Sequence, residues 1–250
     1  MTSGYFQIEI EEKFREKTAF STPQEHFQFI KMCFGLMNAP ATYLRCMESI
    51  MLGMRGVDCL CYIDDLIIFL PRVEKLQRVF DRLRGANFRI QPDKCQFASD
   101  KAEYLGHILT SEGVKPDPSK VKALREYPAP KNVKEIPSFV GLASYYRRHV
   151  PNFVDIALPL TKLTKKTEKF KWENEQEKAF QKLKDILSTE PLLIYPDILQ
   201  PFIVACDASN TAIGAVLSQL RDGEKKLTAY CSRQTVQKEI TDSPSESYWR

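Results

Sequence analysis

The stretch CLCYIDDLIIFL, residues 59–70, decides how the rest of the chain is read. Its apolar residues flank Ile63-Asp64-Asp65 on both sides, the pattern of a β-hairpin carrying acidic residues at its turn. The run is too short to span a bilayer and is split by two carboxylates, so no membrane role follows. Cys59 and Cys61 stand two apart, which suits one face of a strand better than a zinc knuckle. Adjacent carboxylates at a turn repel each other, and a hard cation relieves that repulsion. Mg²⁺ suits them, since it takes one or two carboxylates plus substrate phosphates. A bare acidic pair is more often a solvated turn, so its surroundings must carry the reading.

Composition sets only wide limits. A length of 250 residues allows one large domain or two to three small ones. Hydrophobic content of 43% and charged content of 27% argue for a folded chain. The net charge of +4 is compatible with a nucleic-acid partner without requiring one. Seven cysteines, an odd count with no CxxC pair, read as buried, reduced thiols. The chain opens MTSGYFQIEIEEK, with no basic or apolar leader pattern, and an intracellular location is the expectation.

Outward from the hairpin, residues 5–10 and 26–30 alternate like strands. Leu44, Met47 and Met51 are spaced for a helix over 39–54, and Val73, Leu76, Val79, Phe80 and Leu83 for an amphipathic one. Residues 104–110 read as a strand. Pro116, Pro118, Pro128 and Pro130 mark a boundary region. Asn132 and Glu135 are spaced as a capping box opening a helix that runs through residues 144–148, with Pro137 tolerated in its first turn. A second helix is expected over 179–187, then strands over 201–206, 213–218 and 227–232. The fold class is therefore α+β, then mainly helical, then β-rich.

Upstream of the acidic hairpin lies FGLMNAPATY, residues 34–43. With YIDD, it resembles the palm of gypsy-type LTR-retrotransposon reverse transcriptases, in which FGLxNAPATF precedes a YxDD hairpin. The likeness continues through QPDKCQF (91–97), YLGHILTSEGVKPDPSKV (104–121), FVGLASYYRRHVPNF (139–153), PLTKLTKK (159–166), FKWENEQEKAFQKLK (170–184) and PFIVACDASNTAIGAVLSQ (201–219). Nearly the whole chain is covered, in the family's order. The resemblance implies a partial right-hand polymerase palm over 1–112, a helical thumb or connection-like region over 113–168, and the start of an RNase H-like α/β domain over 169–250.

The same resemblance implies roles. Asp64 and Asp65 match two of three metal-binding carboxylates of the polymerase site, with Mg²⁺ as the cofactor. Tyr5 falls where the family stacks a ring under the incoming deoxyribose and excludes a 2′-hydroxyl. Phe34 and Gly35 match the segment lining the nucleotide pocket. Lys94 matches a lysine that assists pyrophosphate departure, although a solvated surface lysine explains it equally. Gly106 and His107 fall near the primer-holding loop, with His107 read as a structural histidine. Arg147, Arg148, Lys162, Lys165 and Lys166 lie where template–primer phosphates would pass, and solvated helix charge explains them about as well. Asp207, in CDAS, matches the first metal ligand of the RNase H-like domain. By itself an Asp after a strand is usually a turn or cap residue.

The sequence also departs from the family. Met1 occupies the position just after the family's first palm Asp, and Tyr248 stands where a TTExE-like helix would put a metal-binding Glu. Two ligands cannot readily hold two ions at the spacing in-line displacement needs, so independent synthesis is not expected. The family's missing strand would pair beside the hairpin, and other polyprotein segments are therefore expected to be needed for folding. The competing functions are a fragment of a retroelement RNA-directed DNA polymerase with RNase H, a retained non-catalytic binder of RNA–DNA hybrid or protein, and a pseudogene product.

Overall fold

The computed structural model describes residues 4–68, 73–209 and 211–235. Met1 and residues 245–248, on which two of the expectations above rest, lie outside them. The chain divides into two compact units, Met1–Ala98 and Ser99–Arg250.

The first unit is built around helix α2 (Ala39–Ile50), reached after a 3₁₀ turn (Gly4–Gln7), a short α1 (Glu12–Arg15) and the small β1 (Phe20–Ser21) and β2 (His26–Phe27). Ala39, Tyr43 and Met47 recur every fourth residue, so one face of α2 is buried, and Met51 continues that ridge beyond the helix end. Against it pack the inward residues of β3 (Cys59–Tyr62), Cys59 and Cys61, whose neighbours Leu60 and Tyr62 face out. Helix α3 (Val73–Gly85) adds Val79 and Leu83 to the same core. β3 pairs with β4 (Asp65–Ile68) as a two-stranded antiparallel sheet. Asp58, 4% exposed at the entry to β3, is held by Lys75 at 3.2 Å and Arg78 at 3.0 Å, which fixes α3 beside the hairpin.

Two strand expectations fail in this unit. Over residues 5–10, the first half coils into the 3₁₀ turn, and only Glu9 bridges to a partner, Lys31. The reason is packing: the turn lays Tyr5 against Tyr43, which an extended strand would not do. A side-chain clamp replaces sheet pairing, with Arg89 N–H donating to Gln7 Oε1 at 2.6 Å and Gln7 Nε2 donating to Arg89 O at 3.0 Å. Over residues 26–30, only His26–Phe27 pair. The helix expected over 39–54 stops at Ile50 and gives way to turns that still bury Met51 and Met54.

The second unit joins an antiparallel meander, a helical core and a second meander. β5 (Lys101–Tyr104), β6 (His107–Thr110) and β7 (Val114–Pro116) form the first. The single strand expected over 104–110 is instead a hairpin corner, because Leu105 (φ 47°) and Gly106 (φ 65°) both adopt left-handed backbone. Tyr145 and Tyr146 hold that corner, donating their hydroxyls to Leu105 O and Gly106 O at 2.6 Å each. His107 is satisfied by Leu105 O at 2.8 Å, as a structural histidine should be.

Helices α4 (Pro118–Arg125), α5 (Ile136–Tyr145), α6 (Phe153–Lys162) and α7 (Asn174–Ser188) enclose a core that includes Phe139, Leu160, Phe180 and Leu183. Asn132 and Glu135 do not cap α5; Asn132 Nδ2 donates to Glu135 Oε1 at 2.6 Å, and the carboxylate takes Lys131 N–H at 2.7 Å. The pair builds a turn before the helix, and the helix ends at Tyr145 rather than running to residue 148. The capping box of this core belongs to Glu173 and Gln176 at the start of α7, five residues before the expected helix start at 179. Strands β8 (Ile203–Ala208), β9 (Ala212–Arg221) and β10 (Glu224–Gln234) make the last sheet, in order β8-β9-β10. Of the seven free cysteines only Cys33, Cys59 and Cys61 are buried. Cys206 and Cys231 are exposed on this sheet.

Candidate active site

The acidic hairpin is a tight one. Tyr62 lies opposite Asp65, leaving Ile63 and Asp64 as the two turn residues. Ile63 has φ 52°, a backbone region that a β-branched side chain enters only under constraint, costing on the order of 1–3 kcal/mol. Cys61 Sγ, 3.6 Å from Ile63 O, and the packing of Ile63 on the core hold the residue there. Burial pushes the Cys61 thiol up to about 11, so it serves as packing and not as a nucleophile. Asp64 and Asp65 are both exposed, and among the described residues neither meets a lysine or arginine within ion-pair distance.

Beside this turn opens a cleft of about 360 Å³. Of the residues singled out in the sequence, Tyr5, Phe34, Asp64 and Lys94 line it together. Tyr5 comes from the 3₁₀ turn, Phe34 from the loop before α2, Asp64 from the hairpin, and Lys94 from a 3₁₀ turn at Pro92–Lys94. Rings of Tyr5 and Phe34 lie 5.2 Å apart, and Phe34 is 66% exposed, so an aromatic wall faces an acidic and a basic side chain. Asp65 and Gly35 are not in the lining. Successive residues at a turn point different ways, and Gly35 serves the backbone with φ 91°.

The cleft also contains Gly4, Tyr43, Ile63 and Gln91, which sequence reasoning did not single out. Tyr43 and Gln91 stood inside quoted motifs, but nothing in their spacing distinguishes a floor residue from a core one. Tyr43 is wholly buried, edge-on to Tyr5 at 5.5 Å, and its hydroxyl lacks a hydrogen-bond partner among the described residues. Burial, then the nearby Asp64 charge, raises its pKa well above the ordinary phenol value.

The remaining site residues lie in the second unit. Asp207 is exposed near the end of β8, opposite Gly214 of β9. Arg147 is committed to structure: its guanidinium donates to Ser232 O and lies 5.8 Å over the Phe153 ring. Arg148 is exposed beside it, and both border an apolar hollow on the β9–β10 sheet. Lys162, Lys165 and Lys166 are exposed at the other end of α6, a ten-residue helix about 15 Å long. The five cations therefore form two groups and not one patch.

Asp64 and Asp65 fit a hard cation that draws its other ligands from phosphate and water. Among the described residues no group of three or more His, Cys, Asp or Glu side chains could by itself cage a metal ion. No helix among the described residues is long and apolar enough to cross a membrane.

Residues 1–109 match the family described as reverse transcriptase (RNA-dependent DNA polymerase), and residues 172–247 the RNase H-like domain found in reverse transcriptase. The chain is similar to the Pol polyprotein from transposon 297 of Drosophila melanogaster, 46% identical over 224 residues, covering 88% of this chain and 21% of that protein. To the polyprotein from transposon gypsy of the same organism it is 39% identical over 235 residues, covering 88% and 23%. The chain thus spans about a fifth to a quarter of these relatives. Its fold resembles a foamy viral protease–reverse transcriptase solved with double-stranded DNA (TM-score 0.83, 23% identity, covering 96% of this chain and 43% of that one). The foamy viral enzyme solved with an RNA/DNA hybrid gives a TM-score of 0.79 at 23% identity, covering 96% and 33%.

Proposed function

This chain belongs to the reverse transcriptases of retrotransposon Pol polyproteins, and from that premise we propose that its first unit carries the nucleotide cleft of an RNA-directed DNA polymerase. The observation that supports this most is the gathering of Tyr5, Phe34, Asp64 and Lys94 around one cleft from four separate segments. In this reading the Tyr5 ring lies under the sugar and excludes a 2′-hydroxyl. Phe34, with Gly35 shaping its loop, supplies the apolar wall for the nucleotide. Lys94 places a positive charge where the departing pyrophosphate accumulates negative charge. Asp64, with Asp65 beside it, would hold Mg²⁺, which when bound neutralises the triphosphate and orients it.

The palm segment occupies 1–112, the thumb or connection-like region 113–168, and the RNase H-like segment 169–250, with Asp207 as that segment's metal ligand. A template–primer or RNA–DNA hybrid is the partner, met through Arg148, Lys162, Lys165 and Lys166, with Arg147 bracing Arg148's turn. Binding is the activity to test. Calorimetric titration of the chain with Mg·dATP should give saturable binding, weakened at least about tenfold by Asp64→Asn and by Lys94→Gln, consistent with removal of a charge-assisted hydrogen bond. Equal affinity in all three proteins would reject the proposal.

A further inference from the structure

Tyr43 has no task in the reading above. Its side chain is wholly buried in the first unit, and its hydroxyl finds no partner among the described residues. A phenylalanine would fill the same hole without desolvating an oxygen, so the hydroxyl does not strengthen the fold by hydrogen bonding. What the end of the phenol ring does approach is Gly4: a Cβ built there would stand 2.8 Å from Tyr43 Oη, 2.9 Å from Cζ and 3.0 Å from Cε2. Only glycine permits that approach. The residue that follows is Tyr5, whose ring also rests edge-on against the Tyr43 ring at 5.5 Å and 71°.

The support is asymmetric. Tyr43 sits in the buried ridge of α2 between Ala39 and Met47 and cannot shift without disturbing the core. The Gly4–Gln7 turn, by contrast, is one turn of 3₁₀ helix with no buried residue. The rigid element therefore sets the position of the adaptable one. We infer that Tyr43 is a positioning residue whose hydroxyl, wedged under Gly4, sets the height of the Tyr5 ring in the cleft and so the discrimination between deoxyribose and ribose. This rests on the cleft being a nucleotide site. Without the oxygen, the Gly4–Tyr5 backbone settles into the gap. A ring that bars a hydroxyl by van der Waals contact then loses its grip over a few tenths of an ångström.

The test is Tyr43→Phe in the 250-residue chain, with dissociation constants for Mg·dATP and Mg·ATP measured by competition against a fluorescent dATP analogue, together with the melting temperature. The wild type should prefer dATP. In the variant that preference should fall by about three- to tenfold, chiefly through tighter ATP binding, as expected for a sub-ångström displacement at a contact. The melting temperature should stay level or rise, a result that a merely structural hydroxyl would not give. An unchanged dATP-to-ATP ratio, equal wild-type affinity for the two, or a melting temperature lowered by several degrees would each overturn the inference while leaving the nucleotide cleft standing. A wild-type chain that binds neither nucleotide would overturn the reading of the cleft, and this inference with it.

Discussion

Acidification should destabilise the second unit through one histidine. His149 is 2% exposed, stacked on His107 at 5.7 Å, and its Nδ1–H donates to Pro191 O at 2.9 Å. The carbonyl can only accept, so the ring is held as the Nδ1–H tautomer with Nε2 bare. Burial pushes its pKa down from an ordinary 6.5 to about 4, opposed in part by the hydrogen bond to the Pro191 carbonyl and helped by lesser effects of the neighbouring His107 and Arg148. The unfolded chain therefore binds a proton between pH 6.5 and 4 that the folded chain refuses, and stability falls as pH falls through that window. A gap of about 2.5 in pKa at 1.36 kcal/mol each gives about 3 kcal/mol, of which roughly 2.5 is lost between about pH 7 and about pH 4.5. Both tryptophans, Trp172 and Trp249, lie beyond residue 98, and Trp172 packs on Phe180 at 5.7 Å. Urea unfolding followed by tryptophan emission consequently reports on the unit that contains His149. His149→Asn keeps a donor near Nδ1 but cannot titrate, and carboxylate titrations common to both proteins cancel in the comparison. The variant should be less stable than wild type at neutral pH, and that deficit should shrink by roughly 2 kcal/mol or more on reaching about pH 4.5. A deficit that stays constant within about 0.5 kcal/mol would refute the reasoning.

Two further outcomes follow from the packing and charge. Asp58→Asn should destabilise the first unit by about 1–3 kcal/mol in chemical denaturation. The buried carboxylate loses two cations at once, and the exposure of Arg78 (60%) keeps the figure below that of a fully buried pair. Replacing Lys162, Lys165 and Lys166 together by glutamine should flatten the log–log salt dependence of hybrid binding by about 2–3, at roughly 0.7–0.9 for each phosphate no longer neutralised. An unchanged slope in fluorescence anisotropy would mean that these side chains are solvated charge and nothing more.

Much of the first unit was legible because its signals are periodic. The spacing of Leu44, Met47 and Met51 announces a helix, although the face it buries is Ala39, Tyr43 and Met47, and the apolar runs on both sides of Asp64-Asp65 announce a hairpin with acidic residues at its turn. Where pairing depends on distant partners, local alternation misleads: residues 5–10 look like a strand, yet they coil because Tyr43 and Gly4 fit together. The corner at Leu105-Gly106 escaped for a related reason. Its left-handed geometry is stabilised by Tyr145 and Tyr146, forty residues away, and no short window contains both. Motif matching named Tyr5, Phe34, Asp64 and Lys94, which line one cleft, together with Asp65 and Gly35, which stand next to lining residues without lining it themselves. It could not find Tyr43, whose burial and missing partner are properties of the fold. Charge counting likewise grouped Arg147 with the free cations, although its guanidinium is spent on Ser232 and Phe153.

The cleft itself can be tested most directly by hydrogen–deuterium exchange of the chain with and without saturating Mg·dATP. Protection should appear in peptides covering Gly4–Gln7, the Phe34 loop, the turn at Ile63-Asp64 and the Pro92–Lys94 turn, the four segments that line the cleft. Protection confined to other segments, or none at saturation, would contradict the assignment of this cleft to a nucleotide.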